Sequence, residues 1–148
     1  MNATLSAATT ITVPFFDVDV MRIVWHGHYV KYFELARCVL LDKIDYNYTQ
    51  MEASGFGWPV VDIRIKYVQS ARFGQVLRVR AQLAETENRL KITYVIEDEA
   101  SGKRIATGYS IQVAVQLPER ELCFVTPEIF RDKVNTAIER EQQQPRAE

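Results

Sequence analysis

Two carboxylates and two histidines, Asp17, Asp19, His26 and His28, crowd the start of the segment DVDVMRIVWHGHYVKYFELAR that runs from Asp17 to Arg37. A carboxylate placed seven residues before a histidine, with a helix N-terminus adjacent, can attack or hydrate a carbonyl while backbone amides stabilise the oxyanion. Asp17 and Asp19 lie two apart, so on extended backbone they share a face. Like charges at that spacing raise one pKa, which suits one of the pair to act as a base. The plainer reading is that both aspartates shape turns after a strand, as aspartates do by bonding to their own backbone.

The helix that follows begins between His26 and Tyr29 with no Ser, Thr, Asp or Asn immediately ahead of it. Its first amides are therefore open to a ligand oxygen, or to solvent, or to a more distant cap such as Asp19. A metal held by His26, His28 and the acids is disfavoured, because two rings two residues apart at a helix start seldom aim at one ion. No metal and no cofactor is expected. Serine chemistry is poorly supported: Gly108-Tyr109-Ser110-Ile111-Gln112 lacks the second glycine of a nucleophile elbow and sits in a strand. Cys38, inside an apolar helix, reads as core packing.

The elements that must position this segment follow from periodicity. Ile11, Val13 and Phe15 alternate with Thr10, Thr12 and Pro14 as a first strand that delivers the chain to Asp17. From about His28 to Lys43 the sequence is apolar on most of its circumference, leaving Lys31, Glu34 and Arg37 as a narrow polar stripe, so this helix is expected to be largely enclosed. Thr49 and Glu52 match a capping box for a short connecting helix that Gly55 and Gly57 end. Four period-2 runs come next: Val61 to Tyr67, Leu77 to Leu83, Leu90 to Ile96, and Ile105 to Val115. They read as an antiparallel meander with turns at Glu85-Thr86-Glu87-Asn88 and Glu99-Ala100-Ser101-Gly102-Lys103. On the last strand Ala106, Gly108, Ser110 and Ala114 form a small-residue face against which the enclosed helix can pack closely. Thr126-Pro127-Glu128 supplies an N-cap, a first-position proline and a first-turn acid for a C-terminal helix over about 127–140, ahead of a polar tail at 141–148.

At 148 residues and 47% hydrophobic the chain suits one domain, with its core over about 10–125. With 18 basic and 19 acidic residues, the net charge of −1 supplies no global field for nucleic acid or an anionic membrane. The start MNATLSAATTITV lacks a signal-like basic and apolar pattern, and no run approaches the roughly 18 residues of a bilayer span, so a cytoplasmic location is expected. Cys38 and Cys123 are expected as free thiols. Trp25, Tyr46, Tyr48, Phe56 and Trp58 flank the helix and connector, where they line an acyl pocket or complete the core. Arg72, Arg78, Arg80, Arg89, Lys91, Lys103 and Arg104 are scattered along strand ends and faces, mostly as solvated charges.

Asp17-Val18-Asp19, Ile23-Val24-Trp25-His26, Tyr29 and Glu34-Leu35-Ala36-Arg37 together resemble the 4-hydroxybenzoyl-CoA thioesterase family of the hotdog fold. The resemblance implies an α+β fold, a curved antiparallel sheet wrapped around a long central helix, over about Thr10 to Phe124. It implies a thioesterase acting on acyl-CoA or an acyl-carrier-protein thioester. The second acid of the D-x-D unit, Asp19, would be catalytic as nucleophile or general base, and the His26 amide would polarise the carbonyl. Trp25, Tyr29 and Trp58 would contact the acyl group, with Arg89 and Lys91 as candidates for nucleotide phosphates. A related bacterial subgroup has histidine at the His26 position, but its tyrosine four residues before the catalytic acid is Phe15 here. The family also implies a homodimer or a homotetramer built as a tetramer of dimers. The alternatives are a non-catalytic acyl-binding or assembly module of the same fold and a metal-dependent hydrolase.

Overall fold

The computed structural model describes residues 5–143. Strand β1 spans Ser6–Thr12 and is followed by an irregular stretch with single 3-10 turns at Phe15–Asp17 and His26–His28. Helix α1 covers Tyr29–Lys43 and α2 covers Tyr48–Ala53. Next come β2 (Phe56–Gly57), β3 (Val60–Tyr67), β4 (Val76–Glu85), β5 (Leu90–Asp98) and β6 (Arg104–Gln112). The short strands β7 (Val115–Gln116) and β8 (Glu121–Leu122) precede α3 (Glu128–Gln143).

Five strands form one antiparallel sheet in the order β1-β4-β5-β6-β3. The alternation in β4 is clean, with Leu77, Val79, Ala81 and Leu83 buried between exposed Arg78, Arg80 and Gln82. One face of the sheet therefore looks inward and the other carries charge. The meander is confined to β4–β6. Strand β3 does not neighbour β4 but crosses to the far edge and pairs with β6. The crossing segment is pinned where the amides of Val68 and Gln69 both donate to the Ile105 carbonyl, at 2.9 and 3.0 Å.

Helix α1 lies on the inner face over β1 and β4. The small-residue face of β6 lets it come close: a Cβ on Gly108 would lie 2.1 Å from the Arg64 carbonyl oxygen and 2.8 Å from Phe33 Cε2. Phe33 fills that gap and stacks on Tyr94 with ring centroids 4.3 Å apart. The enclosure of α1 is one-sided, however. Tyr29, Tyr32, Phe33, Ala36, Leu40 and Leu41 are buried, whereas Leu35 and Val39 face outward beside Lys31. Arg37, read as part of the polar stripe, is buried and reaches Glu34 and Tyr48 Oη. Helical rotation places it one position after Ala36 on the inner edge rather than outside.

Other local expectations are corrected. The first strand ends at Thr12, and Phe15 is exposed beyond it. The capping box of α2 is Asn47 with Gln50 rather than Thr49 with Glu52. Thr126 Oγ1 donates to the Thr86 and Glu87 carbonyls, at 2.6 and 2.9 Å, tethering the start of α3 to the β4–β5 turn. Helix α3 runs to Gln143, past the expected end near 140. The rest of the expected tail, 144–148, lies outside the described residues.

Candidate active site

The residues between β1 and α1 fold back on themselves. Val18 and Val24 form an antiparallel bridge, the Asp19 amide donates to the Ile23 carbonyl at 2.9 Å, and Arg22 turns the corner with φ 66°. A non-glycine residue in the left-handed region costs about 1 kcal/mol, held here by the surrounding hydrogen bonds. The loop is tied to the fold on both sides: Trp25 N–H donates to the Asp17 carbonyl at 3.0 Å and Val24 N–H to the Ala71 carbonyl at 2.9 Å.

The two acids have different surroundings. Asp17 is buried, accepting from Lys31 Nζ at 2.6 Å and Tyr32 Oη at 2.7 Å, with His28 Nε2 3.9 Å away. Burial pushes its carboxyl pKa up, but the Lys31 and Tyr32 hydrogen bonds and the Lys31 charge outweigh that and hold it below the ordinary value. Tyr32 is raised by its own burial and by the neighbouring carboxylate. The D-x-D pair therefore does not work by mutual repulsion, because Lys31 neutralises one member. Asp19 is half-buried, and its Oδ1 accepts the Met21 amide at 2.8 Å, an Asx turn. Among the described residues no donor pairs with its Oδ2.

Asp19 and His26 line one cavity of about 380 Å³, together with Tyr29, Tyr67, Met21 and Ile23. No side chain caps either the 3-10 turn at His26–His28 or the start of α1. Among the described residues the His26 N–H meets no backbone acceptor. The His26 carbonyl accepts Tyr67 Oη at 2.7 Å, and the Tyr67 ring packs edge-on against Tyr29 at 5.2 Å. This fixes the plane of the His26–Gly27 peptide. Tyr29 is buried, its Oη accepts the Ala71 amide at 3.3 Å, and burial raises its pKa. The arrangement offers a carbonyl one anionic oxygen and uncapped N–H groups at the positive end of α1.

The remaining sequence candidates lie elsewhere. Trp25 folds over Gly27, where any Cβ would meet its ring at 2.2 Å, and it is not among the residues around the Asp19 cavity. Trp58 belongs to the core, donating from Nε1 to Tyr46 Oη at 3.3 Å and packing on Phe130 at 4.9 Å. Arg89 is bound to Glu85 at the β4–β5 turn, and Lys91 Nζ sits 4.9 Å over the Tyr109 ring on the outer face of the sheet. Within one protomer neither cation reaches the Asp19 cavity. Phe15 packs edge-on against Phe73, also outside it. Tyr67 and Lys31 were not singled out by their types and spacing. Tyr67 read as an alternating strand residue, and only the crossing of β3 to the edge brings its hydroxyl to His26.

The long helix α1 packed on a five-stranded antiparallel sheet, with an uncapped helix start beside a carboxylate, is the arrangement of a hotdog domain. The 1,4-dihydroxy-2-naphthoyl-CoA thioesterase from Synechocystis has the same fold, with a TM-score of 0.80 at 21% identity over 95% of this chain and 99% of that one. A hypothetical protein from Thermus thermophilus superposes with a TM-score of 0.77 at 32% identity, covering 88% of this chain and 98% of that one. The chain matches the model of the thioesterase-like superfamily over residues 13–134 and belongs to that superfamily. The "Putative acyl-CoA thioesterase" of Bacillus subtilis (strain 168) is 33% identical over 84 residues, which are 57% of this chain and 60% of that protein, so the match spans less than two thirds of that relative. The narrower 4-hydroxybenzoyl-CoA family is not singled out, since solved neighbours also include a gentisyl-coenzyme A thioesterase. No helix among the described residues is long and apolar enough to cross a membrane, and none of their His, Cys, Asp and Glu side chains form a metal-holding group of three.

Proposed function

We propose that this chain is one hotdog domain that hydrolyses an acyl thioester of coenzyme A or of an acyl carrier protein. The observation that carries the reading is that Asp19 and His26 line the same cavity at the uncapped start of α1, in a chain of the thioesterase-like superfamily. The thioester carbonyl oxygen accepts the His26 N–H, where the helix end stabilises the negative charge of the tetrahedral state. Asp19 Oδ2 then acts in one of two ways. It attacks the carbonyl carbon, expelling the thiolate and leaving a mixed anhydride for water to cleave, or it takes the proton of an attacking water. Tyr29 and Tyr67 form the walls that orient the acyl group.

The oligomer is part of the proposal. Strand β3 is a sheet edge on which Val60, Val61, Ile63 and Tyr67 are exposed, and such an edge pairs readily with a second copy. A homodimer, or a tetramer of dimers, would extend the sheet across β3 and close the cavity beside Tyr67. Replacing Asp19 with Asn or Ala is expected to lower turnover of acyl-CoA thioesters at least about 100-fold, measured by thiol release. Near-normal turnover in Asp19→Asn removes the assignment, and acyl binding without hydrolysis by the unaltered protein favours a non-catalytic acyl-binding module.

A further inference from the structure

The Asp19 cavity does not end at the thioester. A second cavity, of about 810 Å³, shares Met21, Ile23, Gln69 and Ser70 with it, so the two form one continuous groove. The far end, between the β3–β4 loop and the β5–β6 turn, is lined by Arg72 and Lys103 together with Gln75, Ser101 and Asp98. Both cations are exposed, and among the described residues neither takes part in an ion pair. The one acid in that wall is already occupied: Asp98 Oδ1 accepts Gln75 Nε2 at 2.9 Å and Oδ2 accepts the Ser101 amide at 2.8 Å.

The spacing between the two ends is built in. Arg72 pairs by backbone with Ile23, its amide donates to Gln75 Oε1 at 2.9 Å, and the preceding Ala71 carbonyl holds Val24. The segment that carries the cation and the loop that carries Asp19 are thus stitched together, so a ligand spanning both ends pays little to organise its site. The middle of the groove mixes the apolar Met21 and Ile23 with the amide and hydroxyl of Gln69 and Ser70. Those are the contacts suited to a thin chain that alternates methylenes with amides.

We propose that Arg72 and Lys103 form an anion subsite for the phosphate at the end of a phosphopantetheine arm, with the arm lying along the groove and its thioester at Asp19. The inference rests on the thioesterase reading above. Coenzyme A and a carrier protein both present this phosphate, attached to a nucleotide in one and to a serine in the other. An exposed guanidinium and ammonium on one phosphate make charge-assisted hydrogen bonds, and their loss shows in KM rather than kcat.

The test uses the full chain and three thioesters of one acyl group, on coenzyme A, on 4′-phosphopantetheine and on unphosphorylated pantetheine. In Arg72→Ala/Lys103→Ala the ratio of kcat/KM for acyl-phosphopantetheine to that for acyl-pantetheine falls about tenfold or more, through KM. The same ratio for acyl-CoA falls alongside it, and in the unaltered protein both ratios shrink as salt is raised. A ratio unchanged by the double substitution overturns the subsite, and so does a fall confined to acyl-CoA, which places the anion contact on the nucleotide. If the unaltered protein cleaves none of the three, the thioesterase reading itself fails, an outcome distinct from cleavage of all three without preference for phosphate. A circular dichroism melt of the double variant matching the parent excludes misfolding as the cause.

Discussion

Asp17→Asn tests whether the loop bearing Asp19 is held in place by a buried charge. The substitution keeps the shape of the side chain and removes its charge. Tyr32 Oη can still donate to the amide oxygen, but the ammonium of Lys31 now meets a neutral group in place of a carboxylate. A hydrogen bond to a charged group contributes about 1.5–3 kcal/mol. Lys31 is 45% exposed and can turn to water, so the lower half of that range applies and a loss of about 2 kcal/mol is expected. Denaturant unfolding at pH 7 measures it as a lower midpoint at constant slope. The pH dependence is the sharper test. The folded-state pKa of Asp17 lies below its unfolded value, so its contribution is complete above about pH 4 and is lost as pH falls through the folded value. The gap between parent and variant is therefore widest at neutral pH and closes in acid. A gap under about 0.5 kcal/mol at pH 7, or one undiminished below pH 3, refutes the argument.

Three further substitutions probe the frame of the site. Tyr67→Phe removes the hydroxyl that holds the His26 carbonyl, a loss of about 1 kcal/mol; a roughly fivefold drop in kcat with little change in melting temperature is expected, and unchanged kinetics would detach Tyr67 from the site. Gly108→Ala sets a methyl against the Arg64 carbonyl, which is backbone and cannot swing aside, so a cost of about 1–3 kcal/mol and a melting point lower by several degrees are expected in a thermal scan. The nearest atoms to the methyl of Gly27→Ala belong to the half-exposed Trp25 ring, which can move. Its stability should stay within about 1 kcal/mol of the parent while tryptophan fluorescence changes, because the displaced Trp25 is one of two tryptophans and the other, Trp58, is held in the core by Tyr46 and Phe130.

Much of the frame was legible because period-2 and small-residue patterns are local. The alternation of Leu77 to Leu83 marked β4, and Gly108 among small neighbours marked where α1 comes down on the sheet. The crossing of β3 was not legible, since an alternating strand fits any edge and the choice of β6 as neighbour is a tertiary one. The same limit hid Tyr67, whose contact with His26 spans 41 residues. By residue type and spacing Asp17 and Asp19 look equivalent, and in the sequence the family resemblance alone favoured Asp19; in the structure Lys31 and Tyr32, in the first turn of α1, separate the buried acid from the one facing the cavity. Trp58 was ambiguous between pocket and core because an aromatic beside a glycine serves either, and Tyr46 and Phe130 claim it for the core.

The walls of the Asp19 cavity differ in how firmly they are held. Tyr29 and Tyr67 are fixed by hydrogen bonds and by each other, while Met21 hangs from the turn at Arg22 and is 72% exposed. On the proposed function, Met21 can thus be varied without moving the Trp25–His26 peptide whose N–H is offered to the thioester carbonyl. On that reading selectivity and turnover are separable: a library varied at position 21 should change which thioesters are accepted while the proposed bond-breaking geometry is inherited intact.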